Sequence, residues 1–239
     1  MIILVIFKEP RLSDKKPAIK VTTNGPYLVS GGVKLAEQEV IMDSNGDPKS
    51  WQEGKVYESK DQYSLCRCGK SKKVPYCDGA HVKEGFFGRE TAKRTPFIKA
   101  AKTLTGPELI LKDQEDLCVG AGFCHRRSGT WNLTTKSDNP GLKAIAVQQA
   151  EDCPAGRLVA VDKRTGQVYE REFEASIGLV EEPISCSSGP LWVRGNIPVI
   201  SDDGKQYEVR NRVTLCRCGE SNNRPFCDGT HRNIGFSAK

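Results

Sequence analysis

Two stretches of this chain share the same spacing of three cysteines and one histidine. The first runs from Cys66 to His81 and the second from Cys216 to His231, and both read C-x-C-x8-C-x3-H. Six of the ten cysteines and two of the three histidines fall within these two frames. A serine, a proline, an aspartate and a glycine also hold the same places in both. A repeat of this kind predicts two metal sites of the same type.

Each frame offers three thiolates and one imidazole as ligands. The predicted ligands are Cys66, Cys68, Cys77 and His81 in the N-terminal frame, and Cys216, Cys218, Cys227 and His231 in the C-terminal frame. Such a set suits zinc or an iron–sulfur cluster, and the spacing alone leaves both open.

The residues between the ligands carry a more specific signal. Both frames follow the pattern C-x-C-x2-S-x3-P-x-C-D-G-x-H, in which the variable position before the histidine is Ala80 or Thr230. This pattern resembles the CDGSH iron–sulfur family, that of mitoNEET and its bacterial relatives. The resemblance implies a 2Fe-2S cluster in each frame, with the first two cysteines on one iron and the third cysteine and the histidine on the other. It also implies that the two copies pair about a two-fold axis, as an intrachain pseudo-dimer.

The single histidine of each frame has two expected consequences. An imidazole in place of a thiolate removes negative charge and raises the reduction potential. Protonation of that imidazole breaks the metal–nitrogen bond, so the clusters are expected to be labile in acid. Electron transfer and delivery of an intact cluster are both compatible with such a centre, and the sequence does not choose between them.

The repeat extends beyond the ligands into predicted strands. Gly25 and Gly189 each begin a G-P-x-x-V-x-G segment, 41 residues before Cys66 in one copy and 27 before Cys216 in the other. The extra residues of the first copy are expected around the Asn45–Gly46 turn. The predicted fold class is therefore α+β and β-rich, with two small β-domains and an inserted ferredoxin-like α+β module.

The segment between the repeats contains three further cysteines. Cys118, Cys124 and Cys153, the last followed by proline, resemble the ligands of a divergent mono-cluster ferredoxin. Ala121 stands where a second cysteine is usual, so the resemblance implies a 3Fe-4S cluster, with a 4Fe-4S cluster or an empty module as alternatives. His125 is a weaker candidate for a fourth ligand because adjacent side chains diverge. Cys186 lies outside every frame and is expected to be an ordinary small residue.

Three domains are predicted: residues 1–92, 93–178 and 179–239. The apolar segment Met1–Phe7 is expected to be a buried strand, since it is too short for a membrane span and a signal peptide is not evident. The formal charge of +6 is spread among acidic residues, which argues against nucleic acid as a partner. Without a signal, clustered cysteines suit metal binding in a bacterial cytoplasm.

The leading functional hypothesis is an iron–sulfur protein for electron or cluster transfer that is not itself an enzyme. Its partner would be a redox protein or an apo-acceptor. A nucleotide-binding glycine pattern, paired carboxylates and a nucleophile elbow are not evident. The alternatives are a zinc-binding interaction module and an iron–sulfur enzyme whose substrate binds between the modules.

Overall fold

A computed structural model describes residues 16–182 and 186–238 of the chain. The strand predicted at the start of the chain lies outside these residues. The strands are β1 (Ala18–Val21), β2 (Tyr27–Ser30), β3 (Lys34–Met42), β4 (Pro48–Tyr57), β5 (Gln62–Leu65), β6 (Lys102–Thr105), β7 (Leu109–Asp113), β8 (Leu158–Asp162), β9 (Val168–Tyr169), β10 (Ser176–Glu182), β11 (Ser187–Arg194), β12 (Val199–Ile200) and β13 (Arg212–Leu215). The α-helices are α1 (Ala80–Lys83), α2 (Phe97–Ala100), α3 (Thr130–Thr135), α4 (Pro140–Glu151) and α5 (Thr230–Asn233), with single 3-10 turns at Glu115–Leu117 and Phe123–His125. This composition confirms the β-rich α+β class.

The two repeat copies exchange strands. One sheet has the order β12-β1-β2-β5 and the other β13-β11-β10-β3-β4. In the first sheet Ile19 of β1 pairs in parallel with Val199 of β12. In the second, Ile177 of β10 pairs in parallel with Leu35 of β3. Each copy thus completes its sheet with a strand of the other copy, so the repeats form an internal pseudo-dimer.

One hydrophobic core serves both copies. The residues of the G-P-x-x-V-x-G segments contribute matching valines, Val29 and Val193, which are at most 2% exposed. Around them lie apolar residues from both sheets, namely Ile19, Val21, Tyr27, Val33, Leu35, Leu65, Ile177, Leu179, Leu191, Ile197, Val199, Tyr207, Val213 and Leu215. A repeat of this size buries little apolar surface alone, and sharing one core makes the exchanged arrangement stable.

The extra residues of the N-terminal copy form a long hairpin of β3 and β4. Its turn contains the predicted Asn45–Gly46 pair, and the carboxylate of Asp43 accepts hydrogen bonds from the backbone N–H groups of Asn45 and Asp47. The equivalent of β3 in the C-terminal copy is β12, which is only two residues long. This confirms where the first copy is extended.

The inserted module is a separate small sheet covered by helices. Its order is β6-β7-β8-β9, all antiparallel, with α3 and α4 between β7 and β8. The side chain of Asn139 accepts hydrogen bonds from two N–H groups of the first turn of α4, and Pro140 occupies the first helical turn. β8 and β9 form a hairpin whose turn contains Thr165 and Gly166, and the N–H of Gly166 donates to the carbonyl of Asp162.

The predicted boundary between residues 178 and 179 falls inside a strand. β10 runs from Ser176 to Glu182 and pairs with β3 over six residues. The same strand also pairs with β11 of the C-terminal copy, so the boundary at residue 178 divides a continuous strand.

Arg212 fastens the module to the C-terminal copy. This residue of β13 is 2% exposed and donates hydrogen bonds to the carbonyl oxygens of Ala150, Cys153 and Leu158. It also forms an ion pair with Glu170. The module is thus held beside the C-terminal frame.

Candidate metal centres

The four predicted ligands of each frame lie as two pairs. In the N-terminal frame the sulfur atoms of Cys66 and Cys68 are 3.8 Å apart, and the sulfur of Cys77 is 3.4 Å from Nδ1 of His81. In the C-terminal frame the corresponding distances are 3.7 Å for Cys216 and Cys218 and 3.3 Å for Cys227 and His231.

These distances match two ligands on one metal ion. Two thiolates bound about 2.3 Å from a tetrahedral metal lie about 3.8 Å from each other. Among residues 16–182 and 186–238, however, no three Cys, His, Asp or Glu side chains converge on one point. Each frame therefore presents two separate half-sites, one with two sulfurs and one with sulfur and nitrogen.

Backbone hydrogen bonds hold the two half-sites together. The N–H of Cys66 donates to the carbonyl of Pro75, and the N–H of Cys77 donates to that of Ser64. The hydroxyl of Ser71 donates to the carbonyl of Tyr76. The C-terminal frame repeats all three contacts, through Pro225, Thr214 and Ser221. The two frames have the same residue spacing, and their ligand loops accordingly have the same geometry.

Asp78 and Asp228 close the ligand loops by accepting hydrogen bonds from backbone N–H groups. The carboxylate of Asp78 accepts hydrogen bonds from the N–H groups of Lys72 and of Ala80, the first residue of α1. These bonds lower the pKa of Asp78. Asp228 makes the equivalent contacts with Asn222 and Thr230. Both aspartates therefore have a structural role.

The two ligand loops touch each other across the pseudo-two-fold axis. A Cβ atom on Gly69 would lie 2.7 Å from the carbonyl oxygen of Cys218, and one on Gly219 would lie 2.8 Å from that of Cys68. Both glycines have a positive φ, 73° and 86°. Only glycine permits this approach, and the two frames consequently lie side by side.

In each frame the two cysteines of the sulfur–sulfur half-site are hydrogen-bonded to each other. A hydrogen bond from Cys68 lowers the pKa of Cys66 to about 6, and the same bond raises that of Cys68. Cys218 likewise lowers the pKa of Cys216 to about 7. One thiol of each pair is thus available as a thiolate near neutral pH, which is the form that binds metal.

The two frames differ in how far they are covered. His231 is 5% exposed, and burial lowers its pKa to about 4. Cys227 is also buried, and burial raises its pKa. Cys77 and His81 are only partly buried. The difference arises because the Asp116–Ala121 loop of the inserted module packs on the C-terminal frame, where Val119 and Ala155 contact Cys227.

A buried arginine stands between the first two cysteines of each frame. Arg67 donates to the carbonyls of Gly25 and Thr22, and its Nη1 has no hydrogen-bond partner among the described residues. Arg217 is paired with the buried carboxylate of Glu181 at 2.6 Å. Arg217 thus has a carboxylate partner, whereas Arg67 has backbone carbonyls and the rings of Tyr27 and Phe86 as its partners. Sequence reasoning missed both arginines, although the repeated Cys-Arg-Cys was the available signal.

The three cysteines of the inserted module lie in one neighbourhood. Burial raises the pKa of Cys124 to about 12, and the charges of Cys153 and Cys118 add to that effect. Cys153 packs beside Val119 in the cluster that contains Cys227. The structure thus brings the three predicted ligands within electrostatic range and places them next to the C-terminal frame.

Two side chains stay outside these centres. The ring of His125 packs on Trp131 with 5.5 Å between ring centroids. Cys186 is exposed and belongs to no frame.

A cavity of 680 Å³ opens between the module and the C-terminal copy. Its lining includes Arg94, Asp116, Glu208, Arg210 and Asp228. The N–H of Phe97 donates to Glu208, and the ring of Phe97 packs under the guanidinium of Arg210. Because Asp228 follows Cys227 directly, the cavity borders the C-terminal frame.

Comparison with known families agrees with this arrangement. The family described as "Iron-binding zinc finger CDGSH type" matches residues 24–82 and 188–232. The family described as "Divergent 4Fe-4S mono-cluster" matches residues 104–163. No curated protein and no solved structure matched the chain. Within the described residues, no helix is both long and apolar enough to cross a membrane.

Proposed function

Because the two frames match the CDGSH iron-binding family and the segment between them matches a divergent mono-cluster family, we propose that the chain transfers electrons or clusters through three iron–sulfur centres. Each CDGSH frame holds a 2Fe-2S cluster with three cysteines and one histidine. The inserted module holds a 3Fe-4S cluster on Cys118, Cys124 and Cys153.

The pairing of ligands in each frame carries this proposal. A single zinc ion needs four ligands around one point, whereas a 2Fe-2S cluster needs two ligands on each of two irons. Cys66 with Cys68, and Cys77 with His81, form two pairs of the second kind. The absence of any convergent group of three ligands among the described residues favours the cluster over zinc.

When bound, such clusters accept and release single electrons. The chain's own residues then set the conditions for that exchange. The cysteine N–H contacts fix each ligand loop before any metal binds. Arg67 and Arg217 each follow the first cysteine of a frame and add a buried positive charge to its loop. His81 and His231 supply the ligand that a proton can remove, so we expect both clusters to be acid-labile.

The three centres form a row. The module lies against the C-terminal frame through Val119 and Cys227, and the C-terminal frame lies against the N-terminal frame through Gly219 and Cys68. Clusters held by these three sets of cysteines and histidines would be neighbours, and this order would allow electrons to pass from the module to the C-terminal centre and on to the N-terminal centre. We expect a reducing compartment, the bacterial cytoplasm, because clustered cysteines there bind metal more often than they form disulfides.

The cavity between the modules favours a second candidate function. A space of this size beside Asp228 accommodates a small molecule, and its charged lining suits a polar one. In that case the protein would be an iron–sulfur enzyme that reduces or oxidises a substrate bound there.

The proposal is tested by measuring the iron, zinc and acid-labile sulfide content of anaerobically purified protein. We expect a red-brown protein with about seven irons, and about four in the Cys124→Ser variant. Colourless protein with zinc and no sulfide would contradict it. Reductive titration should show reversible one-electron steps, whereas steady turnover of a small molecule by the protein alone would favour the enzyme.

A further inference from the structure

The pseudo-two-fold axis relates two equivalent surfaces, one beside each ligand frame. One of these surfaces is covered by the inserted module, and the other is open. On the C-terminal frame the module loop covers the surface. The guanidinium of Arg232 donates to the carbonyl of Gly120 at 2.7 Å, and the amide of Asn223 donates to that of Asp116. A Cβ atom on Gly229 would lie 2.8 Å from the carbonyl of Cys118. This frame therefore meets an iron–sulfur module within its own chain.

The N-terminal frame has no such cover in the described structure. Val82 occupies the position of Arg232 and is 75% exposed. Phe87, which follows α1, is 68% exposed. Large apolar side chains that flank a half-buried metal ligand such as His81 are typical of a surface that another molecule covers.

The charges of the two surfaces also differ. The open copy has four exposed lysines, and each is replaced by a neutral or acidic residue in the covered copy. The pairs of equivalent positions are Lys70 and Glu220, Lys72 and Asn222, Lys73 and Asn223, and Lys83 and Asn233. The covered copy has two arginines without counterparts, but Arg224 donates to the carbonyls of Arg89 and Gly219, and Arg232 pairs with Glu182. Unengaged positive charge is thus concentrated on the open copy.

We propose that this open face, formed by Lys70, Lys72, Lys73, Val82, Lys83 and Phe87, is the docking surface for an acidic iron–sulfur protein that exchanges one electron with the N-terminal centre. The proposal rests on the proposed function. One electron passes between the partner's cluster and the N-terminal centre, and no bond forms or breaks. The covered copy shows that this face accepts an iron–sulfur module, and the lysines select a partner with carboxylates around its cluster.

The position of the open face completes the row of centres. The module contacts one end of the row, and the open face lies at the other end. A partner docked there reaches Cys77 and His81, the least covered ligands of the two CDGSH frames. The N-terminal centre is thus the exchange point with the outside.

Stopped-flow reduction of the holoprotein by a dithionite-reduced, acidic plant-type ferredoxin tests the proposal. The test variant is Lys72→Glu/Lys83→Glu. The matched control is Lys136→Glu/Arg164→Glu, which makes the same charge change at exposed positions of the inserted module. At low salt we expect the second-order rate constant to fall about tenfold or more in the test variant and less than twofold in the control. The rate of the native protein should fall steeply with ionic strength, and that of the test variant should not.

Three results would overturn the docking surface. If the second-order rate constant falls equally in both double variants, the lysines act only through long-range electrostatic attraction and do not form a docking surface. A native protein that small reductants reduce but the ferredoxin does not would exclude an acidic iron–sulfur partner. Lysine-dependent binding to phosphatidylserine vesicles with an unchanged ferredoxin rate would assign the face to a lipid surface. None of these three results contradicts the proposed function. A protein without iron and sulfide would contradict both the proposed function and the docking surface.

Discussion

The hydroxyl of Tyr27, in the N-terminal copy, donates a hydrogen bond to the carbonyl oxygen of Cys216, a ligand of the C-terminal frame, at 2.8 Å. It also donates to Pro225 at 3.1 Å. The equivalent residue of the other copy is Leu191, which has no hydroxyl. Burial raises the pKa of Tyr27, which therefore remains a protonated donor. One copy thus supports the other copy's metal loop, and the reverse contact is absent.

Tyr27→Phe should destabilise the C-terminal centre selectively. Loss of the donor removes the hydrogen bond to the carbonyl of Cys216, at a cost of about 1–3 kcal/mol, while the carbonyl of Pro225 keeps its bond from the N–H of Cys216. We expect a lower melting temperature and faster loss of one 2Fe-2S centre, followed by visible absorption. Tyr63→Phe is the control, because Tyr63 donates to Val33 within its own copy. Equal lability of both centres in Tyr27→Phe would contradict the assignment.

Gly69→Ala should damage both centres. A methyl group at this position meets the carbonyl of Cys218 at 2.7 Å, so the ligand loops must separate. We expect a loss of about 1–3 kcal/mol in the free energy of unfolding and weaker cluster retention at both frames. Gly46→Ala has a similar positive φ, 81°, but nothing within 4 Å. If the two variants behave alike, the backbone conformation and not the loop contact is responsible.

Acid should remove the two CDGSH clusters in separate steps. Burial holds the pKa of His231 below its ordinary 6.5, at about 4. The folded protein therefore resists protonation of His231 that the unfolded chain accepts, and stability is lost as the pH falls from 6.5 towards 4. The N-terminal centre should bleach first, because its ligands Cys77 and His81 are only partly buried and water reaches them more easily. His81→Cys should abolish the first step, and His231→Cys should abolish the second. Visible absorption during stepwise acidification measures both steps. A single step in the native protein would contradict this order.

Arg67→Gln should lower the reduction potential of the N-terminal centre by tens of millivolts. Arg67 is buried, adjoins Cys66 and Cys68 in the sequence and donates to carbonyls, not to a carboxylate, so its positive charge would stabilise the additional electron of a reduced cluster. The double variant Arg217→Gln/Glu181→Gln removes a neutral pair and should change the C-terminal potential little. Potentiometric titration monitored by electron paramagnetic resonance measures both. An unchanged N-terminal potential in Arg67→Gln would mean that the arginine only supports Gly25 and Thr22.

Ala121→Cys should convert the module's cluster from 3Fe-4S to 4Fe-4S. Ala121 lies at the missing ligand position and packs in the cluster that contains Cys153. We expect about eight irons instead of seven and loss of the paramagnetic signal of the oxidised 3Fe-4S form. Ala121→Ser, which offers no thiolate, is the control. An unchanged iron content and signal in the cysteine variant would show that residue 121 does not face the cluster.

The sequence alone determined the ligand frames and the local elements. The cysteines, histidines and capping aspartates of each loop lie within sixteen residues of one another, and their contacts are local. The turn residues Asn45 and Gly46, and the cap of α4 at Asn139, are local signals as well. Such features follow from residue type and spacing. The family resemblance and the fold class that were predicted from them are confirmed by the family matches and by the structure.

Only the tertiary structure decided how the frames are placed. Pairing of Ile19 with Val199 and of Ile177 with Leu35 joins residues more than 140 positions apart, and no local pattern encodes such a register. The same holds for the cover of His231 by the module and for the exposure of Val82, which distinguish two frames that have the same ligand pattern. Hydrophobic burial drives the exchange of strands without regard to sequence separation, so the asymmetry of the two centres appears only once the chain has folded.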